Sequence, residues 1–96
     1  KAVGDAALGL HVSGAWNTDL DNPTNAEFVK RFTAAYGRTP TMYAAQGYDT
    51  GLAIASALKA TGGKVDDTAA FRRALAKGGF ETTRGTFRFG PNQHPV

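Results

Sequence analysis

Cysteine is absent from the 96 residues, and isoleucine, methionine and tryptophan occur once each. Without cysteine the chain has no disulfide, no thiolate nucleophile and no Cys-based zinc site. Histidine is nearly missing too. His11 and His94 lie at opposite ends of the chain with no Ser–Asp relay pattern beside either, so neither acyl-transfer chemistry nor a recognised metal-ligand spacing is present. No cofactor is expected. Charge of one sign is not in excess: 11 Lys and Arg face 8 Asp and Glu, for a net charge of +3. Long apolar runs are lacking as well, since the longest largely apolar stretch, residues 52–58 with Ser56 inside it, falls far short of the roughly 20 needed to span a bilayer. The first residue is Lys1, with no signal-like stretch after it, which predicts an N-terminus that is processed, trimmed or cut from something longer.

What is present is a small apolar inventory. Hydrophobic residues make up 42% of the chain, but 17 of them are alanine, and Leu, Ile, Val and Phe together number 18. Such a composition with balanced charge predicts a folded unit with few large anchors, in need of packing surface from elsewhere. The length excludes two independent cores.

Local signals place the elements. Leu10 and Val12 alternate with His11 and Ser13, which predicts a short strand within Gly9–Trp16. Residues 17–22 have the Asn and Asp content of a self-capping loop. Asn22-Pro23, backed by Thr24-Asn25-Ala26-Glu27, opens a helix in which Phe28, Val29, Phe32 and Ala35 or Tyr36 form the apolar stripe, and Gly37 closes it. Met42 to Ala60 predicts a second helix, apolar nearly all round and so covered on both sides. Asp66 or Asp67 caps a third, with a stripe of Ala70, Phe71, Ala74 and Leu75 that ends at Gly78-Gly79. Period-two alternation over Gly85–Phe89 predicts a closing strand. The fold class is therefore α/β, in the order strand, three helices, strand. Two strands so separated make no stable sheet alone, which points to a fragment of a larger protein or a chain completed by self-association.

Several chemical motifs are present only in part. Asp19 and Asp21 lack the central Gly and terminal Glu of a calcium loop. Gly62-Gly63-Lys64 follows a helix and lacks the spacing of a phosphate loop. Lys30-Arg31, Arg72-Arg73 and Lys77, with Phe87 and Phe89 as stacking platforms, sketch a nucleic-acid stripe, but the cations sit on polar helix faces and strand-phase phenylalanines suit a core. No nucleic-acid partner is expected. The most informative stretch runs from Pro40 to Thr50, where Tyr43, Gln46, Tyr48 and Asp49 gather in the first two turns of an apolar helix. Tyr43 and Gly47 share a face with Gln46 beside it, and the helix start favours a carboxylate nearby. The same residues can instead serve packing: Tyr43 and Tyr48 in a core, Asp49 paired with a neighbouring helix. Spacing alone does not separate the two.

Trp16, Asp19-Leu20-Asp21-Asn22-Pro23, Asn25, Phe28-Val29, Phe32, Tyr36-Gly37, Pro40 and Tyr43-Ala44-Ala45-Gln46-Gly47-Tyr48-Asp49 together resemble the substrate-binding proteins of branched-chain amino-acid-type ABC transporters. Arg84 to Phe89 followed by Gly90 to Val96 is similar to the segment that this family places after its next helix. The resemblance covers the chain from about Leu10 onward. It implies a type I periplasmic binding fold, two α/β lobes joined by a hinge, of which residues 1–96 would be a single C-terminal segment with hinge-adjacent strands and an incomplete sheet. It implies no enzyme activity, a periplasmic or extracytoplasmic location (lipid-anchored in a Gram-positive cell), a small ligand that is an amino acid or a related aliphatic or aromatic carboxylate, and a membrane permease as partner. Tyr43 and Gln46 become the first ligand-side candidates, followed by Trp16, Tyr48 and Asp49, which can also brace the hinge or lobe. A ligand-sensing domain of a receptor or regulator with the same fold is the alternative function, and a small basic nucleic-acid-binding module is a third.

Overall fold

Three helices begin and end where their capping chemistry says they should. In the computed structural model, which describes residues 2–96, Asn22 accepts the Asn25 N–H at 2.8 Å, and Pro23, which has no N–H to leave unpaired, takes the first position of helix α1 (Pro23–Tyr36). Gly37 ends it in the left-handed conformation, φ 63°, with its N–H donated to the Thr33 carbonyl. Thr41 caps helix α2 (Met42–Ala60) by accepting from Ala44 N–H at 3.4 Å. Of the two aspartates eligible to start helix α3 (Thr68–Lys77), Asp67 does so, accepting from Ala70 N–H at 3.0 Å. The expected stripe of α3, Ala70, Phe71, Ala74 and Leu75, is its half-buried side.

A hairpin follows. Strand β1 (Phe80–Thr82) pairs antiparallel with β2 (Gly85–Phe87), with Phe80 opposite Phe87, Glu81 opposite Thr86 and Thr82 opposite Gly85. The closing strand is thus shorter than the alternation over Gly85–Phe89 predicts, and Phe89 makes a separate bridge to Pro95. β1 is the element that sequence periodicity does not show, because three residues are too few to display a period. Gly78 makes the entry into the hairpin possible. Its φ of 59° with ψ of −140° is a glycine-only conformation, and a Cβ there would lie 2.9 Å from Arg88 Cα.

The strand predicted within Gly9–Trp16 does not form. These residues lie outside any helix or strand, with Leu10 72% and Val12 89% exposed. Alternation tells which side chains share a face, but a strand exists only where another backbone offers N–H and C=O groups to pair with, and none of the described residues lies alongside. A short 3-10 turn, Gly4–Ala7, precedes this stretch. The observed order is therefore three helices and a hairpin, still α/β with an incomplete sheet.

The core is thin. Phe28, Ala45 and Ala57, with Pro40 just before α2, are the buried apolar residues among those described. The radius of gyration is 16.3 Å, with extents of 53 × 31 × 23 Å, against about 13 Å expected for a compact 100-residue domain. Helix α2 packs on α3 and β1 through one face only. The expectation that both its faces are covered is not met within this chain: Tyr43 is 77% and Ile54 45% exposed.

Candidate functional site

The polar residues of greatest structural consequence form one continuous network. Asn25, fully buried in the first turn of α1, accepts the indole N–H of Trp16 on Oδ1 at 2.7 Å. Its Nδ2 donates to the carbonyls of Asn17 and Thr18 at 3.2 Å each and of Leu20 at 3.0 Å. Asn22, whose Oδ1 caps the helix at Asn25 N–H, uses Nδ2 to donate to the Thr83 carbonyl at 3.0 Å. Thr83, at the hairpin tip, is fully buried and donates from its N–H to Asp49 Oδ1 at 2.8 Å and from its hydroxyl to Asp49 Oδ2 at 2.9 Å. The partly exposed Arg84 adds its Nε 3.4 Å from Asp49 Oδ2. Loop, α1, hairpin and α2 are so joined from Trp16 to Asp49.

An aromatic chain runs beside this network. The Trp16 ring meets Phe28 edge-on at 5.9 Å, and Phe28 meets Tyr48 at 4.8 Å and Phe32 at 5.8 Å. Contacts of this geometry add to the area that they bury. Trp16 and Tyr48 are therefore brought together through one shared ring. A second cluster closes the hairpin, with Phe87 against Phe80 at 5.5 Å and against Phe89 at 4.8 Å. That packing occupies Phe87, which the stripe with Lys30, Arg31, Arg72, Arg73 and Lys77 would need as a stacking platform.

The five residues singled out from sequence divide between two faces of α2 and the loop before α1. Tyr43 and Gln46 lie on the exposed face near the helix start, together with Gly47 and Thr50. Tyr48 and Asp49 point inward, Asp49 being 7% exposed with both carboxylate oxygens engaged. Asp49 pairs with the hairpin tip and not with a neighbouring helix. Trp16 is half-buried, its indole N–H engaged. At the start of α2, Thr41 Oγ1 takes the N–H of Ala44, and the first N–H groups of any helix have no intrahelical acceptor.

Asn25 stands in the sequence only as part of a helix-opening motif, and Thr83 stands out in no way, yet both are central to this network. The signal for Asn25 is present, since it stands at i, i+3 and i+7 with Phe28 and Phe32 and so falls on the buried side of α1. Its place inside a capping motif disguises it. Thr83 carries no such signal, because its partner Asp49 is 34 positions away.

An open groove of about 810 Å³ runs between α3 and the chain after β2, lined by Arg72, Arg73, Leu75, Phe89 and Pro91 among others. None of the five residues lines it. A site closed between two lobes would draw its other wall from outside these residues, so the size of a groove within them does not select it. Among the described residues no group of three or more His, Asp or Glu is placed to hold a metal ion, and no helix is long and apolar enough to cross a membrane.

Comparison with known proteins gives a consistent answer. Residues 1–96 match the family described as periplasmic binding protein. An ABC transporter solute-binding protein from R. palustris, solved in complex with benzoate, is 38% identical with a TM-score of 0.80, over 85% of this chain and 23% of that one. An ABC transporter substrate-binding protein from Sphaerobacter thermophilus is 41% identical with a TM-score of 0.81, over 98% of this chain and 26% of that one. The leucine-binding protein LivK from Thermotoga maritima shares the fold, with a TM-score of 0.74 at 21% identity, over 86% of this chain and 24% of that one. No curated protein matches. The chain thus spans about a quarter of each of these structures, and with a family match along its whole length it belongs to the periplasmic binding protein family.

Proposed function

We propose that this chain is the C-terminal segment of an extracytoplasmic solute-binding protein that serves an ABC importer, where it captures a small carboxylate between two lobes and presents it to a membrane permease. The action is capture without chemistry: two lobes close on the solute, and the closed form is the one that docks. The observation that carries this reading is the division of α2. Its inner face is committed to the hairpin through Asp49, while its outer face leaves Tyr43 and Gln46 exposed at the capped helix start.

Each group has a role there. Helix N–H groups and the positive end of the dipole favour a carboxylate. The Gln46 amide offers a donor and an acceptor, the Tyr43 phenol an aromatic surface with a polar tip, and Trp16 a second aromatic wall. Tyr48 and Asp49 brace these from within. Residues 10–16, extended by pattern and unpaired, become a hinge-adjacent strand when another segment of the protein lies beside them.

The relative in complex with benzoate is 38% identical, which supports an aromatic carboxylate as the first ligand class to test, with amino acids such as leucine second. Isothermal titration of the full-length protein with benzoate, L-leucine and related acids tests it. Saturable heat with one of them, reduced at least about tenfold in affinity by Tyr43→Ala or Gln46→Ala, is the expected result. No heat and no melting shift with any of these acids would overturn it.

A further inference from the structure

We propose that Asn25 is a positioning residue of the ligand site, setting the orientation of Trp16 before any ligand arrives; this rests on the reading of Trp16 as a ligand-side residue. Asn25 is the fully buried polar residue of α1, yet it does nothing for the helix. Asn22 already caps it, and every bond of the Asn25 side chain runs backward to the loop and to Trp16.

The chemistry of the group is selective. A primary amide has two N–H donors on one side and a carbonyl oxygen on the other. Three loop carbonyls face Nδ2, at 3.2, 3.2 and 3.0 Å, so the amide cannot be turned over and Oδ1 must face the indole N–H at 2.7 Å. An aspartate of the same shape would have no donors for those carbonyls, and a serine would reach too few of them.

Trp16 is held in two directions. The indole N–H, its one polar side-chain group, is fixed by Asn25, and the ring is held against Phe28 in an edge-to-face contact at 5.9 Å. The part of the ring left half-exposed is thereby presented in a single orientation. A ligand that stacks on a preset ring does not have to order it, an advantage of roughly two- to tenfold in affinity.

The test is a double-mutant cycle on the full-length protein, with benzoate and L-leucine as the probes. Asn25→Ser and Trp16→Phe are each expected to lower affinity about fivefold, and the pair together no more than about twofold beyond Trp16→Phe alone, because Asn25 acts through the indole. Losses that multiply across the two variants overturn the positioning role. A wild-type protein that binds neither probe overturns the ligand-side reading of Trp16 and this role with it, so the two failures are distinct. Should Asn25→Ser not fold, the wild-type protein still decides by NMR. The indole N–H resonance, assigned by its loss in Trp16→Phe, is expected to be single, slow to exchange with solvent and in contact with Phe28 without ligand. An indole that is averaged when empty and ordered only by the probe overturns the proposal.

Discussion

The two faces of α2 come from one nearly uniform sequence and have opposite fates. The inner face buries Ala45, Asp49 and Ala57 against the hairpin and α3. The outer face carries Tyr43, Gln46, Gly47, Thr50 and Ile54 with little of this chain over them. Apolarity alone does not separate them, since both carry apolar side chains, Ala45 and Ala57 within and Tyr43 and Ile54 without. What separates them is one carboxylate. Asp49 receives the N–H and hydroxyl of Thr83 and the Nε of Arg84, so the inner face is tied to the hairpin in one register, while the outer face has no such anchor among the described residues.

The largest effect is expected where that register is set. In Asp49→Ala the buried N–H and hydroxyl of Thr83 lose their acceptors, a cost of about 3 kcal/mol, with Arg84 contributing little because it can turn to water. Urea denaturation of the full-length protein followed through this region measures it. A loss below about 1 kcal/mol would mean that the Phe80, Phe87 and Phe89 rings, and not the carboxylate, hold the hairpin on α2.

Gly78→Ala comes next, at about 2 kcal/mol, from a φ and ψ that only glycine adopts and a Cβ forced onto the chain at Arg88. It disturbs the hairpin without touching Asp49, so comparing the two thermal midpoints separates backbone strain from the polar anchor. A neutral Gly78→Ala would show that the hairpin entry relaxes and that the anchor acts alone.

Gly47→Ala probes the outer face. A Cβ at Gly47 meets nothing within 4 Å, and alanine favours a helix over glycine by about 0.5–1 kcal/mol, so the unliganded full-length protein is expected to melt higher, by about 1 °C. A lower midpoint would show that the outer face is covered even without ligand. It would then belong to the core of the complete protein and not to its cleft.

The parts of this arrangement that were legible in the sequence are those fixed within a few residues. Asn22-Pro23, Gly37 and the Asp66-Asp67 pair point to backbone groups three or four positions away, and the helix limits they imply are the observed ones, with Asp67 the aspartate that caps α3. The network was not legible, because Thr83 to Asp49 and Asn22 to Thr83 are pairings across 34 and 61 positions, and no local pattern encodes a partner at such a distance. The strand expected at Gly9–Trp16 failed for the related reason that alternation specifies a face and not a neighbour. Tyr43 and Gln46 could be seen as polar residues on an apolar helix, but whether they faced in or out depended on where Asp49 found its partner.

Tyr43→Ala is the smallest change expected in stability and the sharpest test of the division. A side chain that is 77% exposed contributes little to the folded state, so the unliganded protein should lose less than about 0.5 kcal/mol. If the outer face is where the carboxylate sits, the same variant removes an aromatic contact and lowers affinity without lowering the melting temperature of the empty protein. The inner residues should behave in the reverse way, with Asp49→Ala costing stability first and affinity only through the loss of α2's register. Calorimetry with and without the bound acid reads both quantities from one sample. If Tyr43→Ala instead lowered the empty protein's stability by more than about 1 kcal/mol, the tyrosine would be a packing residue of the complete fold, and the two faces of α2 would differ in partner but not in kind.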